Sequence, residues 1–276
     1  MAPDVGPEPN GVVRKPILGV GVDLIGPDEA PAVLLGAARE GRPLPATALA
    51  VHGVMTGWRE PAFRDVLDRT GLVLADGQPV RWALNWLFSA GLDRRVYGPD
   101  LMLDLCEGMA AERLPVFLYG STDAVLGRLA TNLVARYPGL VIAGTMPSAF
   151  GPLDRDEQQE VARRVKDSGA KLCFVGTGCP RQEVFACRMA PLAGIPMVAV
   201  GAAFDFHAGT SPMAPRWMQD AGLEWLFRLM HEPGRLLRRY ALLNPVYLVL
   251  LAAQKAGLQV TGRPGPGAPE EGPIPG

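Results

Sequence analysis

The chain has 276 residues, 48% of them hydrophobic, and its 27 Lys and Arg nearly balance 28 Asp and Glu, for a formal net charge of −1. This length and content can bury one sizeable core, so we expect a single main domain. The near-neutral charge excludes the overall basic excess of a typical nucleic-acid-binding protein. The four cysteines have no C-x-x-C spacing, and with three histidines beside them no zinc or other metal site is expected.

The two ends differ in composition from the rest of the chain. The first residues, MAPDVGPEPNGVVRK, carry acids and prolines where a secretory signal needs a basic start and an apolar core, so we expect a cytoplasmic protein. Residues 1–15 and 259–276 are rich in proline and glycine and are predicted to be disordered tails. Between them we predict an α/β core at 16–221 and a helical appendage at 222–258.

In chain order, short apolar runs alternate with helical patterns. The runs are rich in Val, Leu and Phe and lack polar alternation, which is typical of strands buried on both faces. The predicted strands lie in residues 16–25, 46–52, 72–75, 115–122, 140–145, 171–178 and 197–205. The predicted helices are 28–39, 63–70, 78–89, 100–112, 123–137 and 154–168. The alternation predicts a Rossmann-like, mainly parallel sheet between two layers of helices, with ligands at the carboxyl ends of its strands.

One strand end is especially suited to a phosphate. The segment KLCFVGTGCPRQE, residues 171–183, passes from an apolar run through Gly176 and Gly178 to Arg181, Gln182 and Glu183. A glycine turn leading into a helix that opens with proline presents backbone N–H groups and the positive end of the helix dipole at the sheet edge.

Acidic residues at strand ends leave alternatives open. Asp76 follows a buried strand, where partial burial would raise its pKa toward that of a general base, or where it would cap the next helix. Asp154 and Asp156 form a D-x-D triplet of the kind that holds a metal in many sugar-nucleotide transferases. Here the triplet opens a helix, which favours capping.

Common catalytic motifs are absent. The chain has no G-x-G-x-x-G, Walker lysine loop, H-E-x-x-H or G-x-S-x-G, which removes the commonest dinucleotide, nucleoside triphosphate, zinc protease and hydrolase classes. A sugar-nucleotide epimerase or dehydrogenase on the same fold would need a dinucleotide loop that the sequence lacks.

From Gly222 the strand pattern disappears, and we predict helices broken at Pro233 and Pro245. The apolar run 246–253 is far below the about 20 residues that a membrane-spanning helix needs. The segment is rich in arginine, at Arg228, Arg235, Arg238 and Arg239. Arginines between aromatic and leucine residues suit an anionic membrane surface, or an ordinary docked helix pair with a basic outer face.

Seven motifs in order carry a family resemblance. In chain order they are ADGQPVRWALNW, RVYGPDLM, LPVFLYGSTDAVL, FVGTGCPRQE, VAVGAAFDFHAG, AP-x-WM and GLEWLFRL-x-x-EP-x-R-x-x-RRY. Together these motifs resemble the WecG/TagA/CpsF family, glycosyltransferase family 26, over about residues 16–253. The resemblance implies transfer of a sugar, of N-acetylmannosamine, glucose or uronic acid type, from a UDP-sugar to a polyprenyl-diphosphate-linked acceptor with inversion. It also implies no metal or other cofactor, a peripheral position on the inner membrane face, and a role in cell-surface polysaccharide synthesis. A homo-oligomer is compatible with it.

The resemblance also assigns roles to individual residues. Asp76 resembles the general base, and Arg95 a phosphate-contacting residue. The donor side corresponds to Arg95, Gly120, Ser121, Gly176, Gly178, Arg181, Gln182, Glu183 and Asp205, although Asp205 is equally explained as a buried, hydrogen-bonded carboxylate. Arg228, Arg235, Arg238 and Arg239 correspond to contacts with the acceptor diphosphate or lipid head groups.

One departure concerns the strand before the ADG motif. Many family members end it in a Thr-x-Asn-like sequence, whereas this chain has Ala50-Val51-His52-Gly53. Either His52 contacts the acceptor, or the acceptor differs, or the histidine is incidental. A non-catalytic protein that binds sugar nucleotides on the same fold is the alternative to an enzyme.

Overall fold

The computed structural model describes residues 11–149, 151–231, 233–260 and 274–275, with the side chains of 235–242 and 274–275 outside that description. It opens with an antiparallel hairpin, β1 (Arg14–Ile17) and β2 (Val20–Asp23), in place of the single strand predicted at 16–25. Leu18 (φ 52°) and Gly19 (φ 84°) make the turn, which the apolar pattern did not reveal. The Arg14 guanidinium is paired with the Asp23 carboxylate at 2.7 Å in the interior.

The central sheet has six strands within the described residues, all parallel. They are β3 (Pro45–Leu49), β4 (Leu72–Ala75), β5 (Val116–Gly120), β6 (Ile142–Met146), β8 (Leu172–Gly176) and β9 (Met197–Ala199), and β7 (Pro152–Leu153) lies outside this sheet. Their order is β4-β3-β9-β8-β5-β6. Parallel strands place all their carboxyl ends at one edge, so the segments that follow them meet there.

Helices cover both faces of the sheet. The first face carries α1 (Ala30–Glu40), α5 (Gly98–Ala111), α6 (Asp123–Arg136) and α9 (Ala203–Ala208). The second carries α2 (Val51–Arg59), α3 (Pro61–Arg69), α4 (Gln78–Phe88), α7 (Arg155–Asp167) and α8 (Arg181–Ala193). Alternate residues of one strand pack into opposite layers: Leu74 contributes to the first and Val73 to the second, and both are fully buried. This explains the unbroken apolar runs.

One expectation near these helices changes, and another is confirmed. The strand predicted at 46–52 ends at Leu49, and α2 starts at Val51, so His52 lies in the first turn of a helix. The D-x-D triplet caps α7, as predicted: Asp154 accepts a hydrogen bond from the Glu157 backbone N–H at 2.9 Å, and the Glu157 side chain accepts one from the Asp154 N–H.

The C-terminal segment forms α10 (Arg216–Asp220), α11 (Glu224–His231) and α12 (Pro233–Lys255). Pro233 begins α12, but Pro245 lies inside it, so the predicted second break is wrong. A proline costs the helix one hydrogen bond, and here packing retains the helix: Tyr247 and Leu251 are buried with α2 and α4. The Tyr247 hydroxyl donates to the Pro79 carbonyl at 3.2 Å, and Gln254 is bonded to Pro16 and Leu18 of the hairpin.

The predicted tails lie mostly outside the described residues. Arg14 and Lys15, which the prediction placed in the first tail, begin β1 instead, because they pair with β2. In the second tail, β10 (Ile274–Pro275) pairs antiparallel with β7. In the described part of the chain, no helix combines the length and apolarity needed to cross a bilayer.

Candidate active site

Asp76 stands at the carboxyl end of β4, directly before the turn into α4. The Gly98 backbone N–H donates a hydrogen bond of 2.8 Å to its Oδ1. A Cβ on Gly98 would lie 3.2 Å from the Ala48 Cβ and 3.3 Å from the Val200 carbonyl oxygen, so only glycine approaches this closely without displacement. Burial raises the pKa of Asp76 to about 6, against the opposing charge of Arg95. The carboxyl group therefore titrates close to neutral pH.

Arg95 is held by a small buried network next to this carboxylate. Its Nη2 lies 2.7 Å from Oε2 of Glu224, and the two side chains are only 10% and 14% exposed. Its Cζ lies 4.0 Å from the centroid of the Tyr97 ring. The Tyr97 hydroxyl donates to the other Glu224 oxygen at 3.1 Å. The guanidinium group thus has a fixed plane and position.

A pocket of about 160 Å³ brings together four of the residues predicted from the sequence. Asp76, Arg95, His52 and Arg228 all line it, although they come from four separate segments. The polar and aromatic side chains that also line it are Gln78, Glu224, Trp225 and Asn244. A larger cleft of about 920 Å³ adjoins the pocket, and Gln78 and Arg95 line both.

The glycine turn after β8 lies at the same sheet edge and is held by Gln182. The Gln182 amide oxygen accepts a hydrogen bond from the Gly178 N–H at 3.2 Å, and its nitrogen donates to Glu183 Oε1 at 3.0 Å. A Cβ on Gly201, in the turn after β9, would lie 3.4 Å from that amide oxygen. Gln182 is 3% exposed, so it connects two neighbouring turns from within.

Glu183 lies in the interior, beneath the turn. It is 1% exposed, and its Oε1 also accepts from the Thr47 hydroxyl at 3.0 Å. Burial raises the pKa of Glu183, which favours the neutral carboxyl group. Among the described residues, Glu183 Oε2 and Thr177 Oγ1 are buried without a hydrogen-bond partner. Glu183 therefore supports the turn from the interior, through its hydrogen bond with Gln182.

Glycines at the next strand end are required by packing. A Cβ on Gly120 (φ 125°) would lie 2.7 Å from the Gly176 carbonyl carbon, and one on Gly176 would lie 2.6 Å from the Phe204 ring. Ser121 follows with φ 53°, and its carbonyl accepts from the Ser148 N–H at 3.2 Å. These residues bring β5 and β8 together where the chain leaves the sheet in opposite directions, which is where open α/β sheets bind ligands.

The remaining predicted donor residues make local bonds. Arg181 donates to the Thr177 carbonyl at 3.1 Å, and Asp205 Oδ1 accepts from the Thr210 hydroxyl at 3.2 Å. Of the predicted donor residues, Arg95 lines both cavities described above, and the others line neither. The structure therefore separates the site into a pocket around Asp76 and a glycine-rich edge beside it.

Of the four arginines predicted to meet phosphate or lipid, only Arg228 has a described side chain. Arg235, Arg238 and Arg239 lie in α12, and their side chains are outside the described residues. Exposed apolar side chains occur on α12 and on the two helices that contact it, α4 and α11. They are Trp82, Trp86, Trp225, Leu226, Met230, Val246, Leu248 and Val249.

Sequence reasoning missed three features of this site. Glu224 lies in the GLEW motif, before the cluster of arginines that was predicted to bind phosphate or lipid. Tyr97 lies in the RVYG motif, two residues after Arg95, and an aromatic so close to a buried arginine is a usable signal. Trp82 and Trp86 of α4 are 45% and 49% exposed, which the sequence pattern did not indicate.

The comparison with protein families agrees with the motifs. The family described as the glycosyl transferase WecG/TagA/CpsF family matches residues 15–260 of the 276.

Proposed function

The chain belongs to the WecG/TagA/CpsF glycosyltransferase family and transfers sugars, and we propose that its donor is a UDP-sugar and its acceptor a polyprenyl-diphosphate-linked saccharide. The transferred sugar is of N-acetylmannosamine, glucose or uronic acid type. Transfer proceeds by direct displacement with inversion at the anomeric carbon.

The observation that carries this proposal is the state of Asp76. A general base works best when its pKa lies near the working pH, and burial raises the pKa of Asp76 to about 6. The acceptor hydroxyl oxygen attacks the anomeric carbon, its proton passes to the Asp76 carboxylate, and the bond to the UDP oxygen breaks. Gly98 fixes Oδ1 through its N–H, and the Asp76 residue lines the pocket in which the acceptor is proposed to bind.

Leaving-group charge requires stabilisation on the donor side. Arg95 borders the pocket with a preoriented guanidinium, and the α8 N-terminus with the Gly176–Gly178 turn lies at the same edge. Guanidinium forks, helix N-termini and backbone N–H groups all stabilise phosphate oxygens. We propose that these groups hold the diphosphate of the donor without a metal ion. His52, which also lines the pocket, is assigned to the acceptor.

A peripheral position on the inner membrane face is part of the proposal. Exposed tryptophans and methionine on α4 and α11 accompany the arginines of α11 and α12, a combination that suits an anionic lipid surface. An acceptor with a polyprenyl chain would reach the pocket from that surface, beside Arg228.

The experiment that tests this function measures UDP release by the purified protein. A panel of UDP-sugars is offered with a short-chain polyprenyl-diphosphate saccharide, and each donor is also tested without acceptor. Acceptor-dependent UDP release with one donor, and the sugar on the lipid product in inverted configuration, is the expected result. Binding of a UDP-sugar with no transfer to any acceptor would contradict it and favour a non-catalytic binding protein.

A further inference from the structure

Glu224 is hydrogen-bonded to two side chains, Arg95 and Tyr97, in the segment that precedes Gly98. Its Oε2 is bonded to Arg95 at 2.7 Å and its Oε1 to the Tyr97 hydroxyl at 3.1 Å. The next residue, Gly98, holds Asp76. We propose that Glu224 is a positioning residue, through which α11 of the C-terminal appendage holds the Arg95 guanidinium in place beside the Asp76 carboxylate. This inference rests on the proposed function, in which Asp76 is the base.

The main chain at Glu224 is fixed by packing. Gly222 has φ 71°, and a Cβ there would lie 2.5 Å from the Trp82 ring of α4. The Leu223 N–H donates to the Met218 carbonyl at 2.7 Å, which closes the turn between α10 and α11. The position of the carboxylate therefore depends on how the turn before α11 sits against Trp82 of α4.

Arg95 lies between two carboxylates, so its charge is shared. The charged and titratable side chains described around Asp76 are Arg95 and Tyr97 from the segment before α5, Glu224 and Arg228 from α11, and His52 from α2. The Glu224 charge raises the pKa of Asp76, opposite to Arg95 and Arg228. Removing that charge leaves Arg95 to interact with Asp76 alone, which stabilises the carboxylate and makes it a weaker base.

A competing role for Glu224 predicts different kinetics. Glu224 could instead occupy the phosphate-binding face of Arg95 until the substrate diphosphate displaces it. In that case, removing its charge would lower KM for the substrate diphosphate. A positioning role predicts instead a loss in kcat and a displaced pH profile.

The decisive variant is Glu224→Gln, which keeps the shape and one acceptor oxygen but removes the charge. The control is Asp220→Asn, which removes an exposed carboxylate four residues earlier in the same segment. For E224Q we expect the acidic limb of the kcat profile to move to lower pH by on the order of one unit. We also expect plateau kcat to fall roughly 3- to 10-fold, since the base is weaker. D220N is expected to match the wild type.

An unmoved limb in E224Q, or a lower KM with unchanged kcat, would overturn the inference while leaving the proposed function standing. If wild type and D220N show no transfer, the proposed function fails, and the inference is then decided without turnover. The pKa of Asp76, followed by NMR of its side-chain carboxyl carbon, must still be lower in E224Q than in wild type. Equal values in the two proteins would overturn the electrostatic coupling.

Discussion

The backbone N–H of Gly98 lies 2.8 Å from Oδ1 of Asp76 and joins the start of α5 to the end of β4. Within the described part of the chain it is the only hydrogen bond that Asp76 accepts from the protein. The contact orients the carboxylate, and burial keeps its pKa high. Orientation without full compensation of charge is what a general base requires.

The first prediction concerns pH. Because the base must be ionised before it accepts a proton, kcat should rise as pH rises through the pKa of Asp76, about 6, and then level off. The profile is obtained from initial rates of UDP release measured from about pH 4.5 to about pH 8. A flat rate across this range, in a protein shown to remain folded, would exclude Asp76 as the group that titrates.

Gln182 should affect donor affinity more than chemistry. Gln182→Ala removes the partner of the Gly178 N–H and one partner of Glu183, so the glycine turn loses its fixed shape. Losing about 1.4 kcal/mol of such contacts corresponds to a roughly tenfold higher KM for the UDP-sugar. We expect kcat to change by less than about threefold.

The control for that variant is Gln158→Ala. Gln158 is also buried, but it lies in α7, and its amide nitrogen donates at 3.0 Å to the carbonyl of Leu153 in β7 rather than to the glycine turn. It should lose comparable stability with an unchanged KM. Equal KM values in the two variants would mean that Gln182 acts on folding alone.

Glu183 should reveal itself in stability. A buried carboxyl group with a raised pKa costs the folded state increasingly as pH rises above its unfolded pKa. Glu183→Gln keeps an oxygen for Thr47 and Gln182 but cannot ionise, so its free energy of unfolding relative to wild type should increase from pH 4 to about 7. Glu183→Ala leaves both donors without their partner and should cost about 1–3 kcal/mol.

Urea unfolding at both pH values measures these differences. The difference between E183Q and wild type is the informative quantity, because other titrating groups cancel in it. A difference that stays constant with pH would show that Glu183 is ionised in the folded protein at no cost.

Membrane association should depend on exposed apolar residues of α4 and α11. Trp86 and Met230 are 49% and 61% exposed and lie outside the pocket. The double variant Trp86→Ser with Met230→Ser should bind vesicles of phosphatidylglycerol and phosphatidylcholine at least several-fold more weakly, on the order of 3- to 10-fold. Flotation at low and high salt measures this, since added salt weakens the arginine contribution.

The matched control is Trp217→Ser, on α10, whose side chain is 64% exposed. It should leave vesicle binding unchanged. Equal loss in the control and the double variant would contradict the assignment of this surface. Deletion of the whole appendage is a poorer test, because Tyr247 and Leu251 are part of the core and their removal would expose it.

Much of the sheet follows from local sequence. Strands such as residues 72–75 and 172–176 are short apolar runs, and in a parallel sheet covered on both faces these runs have no competing interpretation. The hairpin at Leu18 and Gly19 and the early start of α2 at Val51 were missed, because their positions depend on contacts with the distant α12 and with α3. The predicted helix break at Pro245 was wrong because the helix is retained by distant contacts of Tyr247 and Leu251.

The site divides in a similar way. Asp76 and Arg95 lie in the ADG and RVYG motifs, and the order of the motifs along the chain was enough to predict that both belong to the site. The partnership of Arg95 with Glu224 joins residues 129 positions apart, and no local pattern encodes it. Likewise, Glu183 resembles a surface acid beside Gln182, and only the packing of α8 against β3 places it inside.

The most direct test of the account is transfer by Asp76→Asn. Asparagine keeps the acceptor oxygen for the Gly98 N–H but cannot take a proton, so turnover should fall by roughly 10²- to 10⁴-fold. The Kd for the UDP-sugar, measured by calorimetry on the same preparation, should stay within about threefold of wild type. Wild-type turnover in D76N, with the product configuration unchanged, would contradict the assignment of Asp76 as the base.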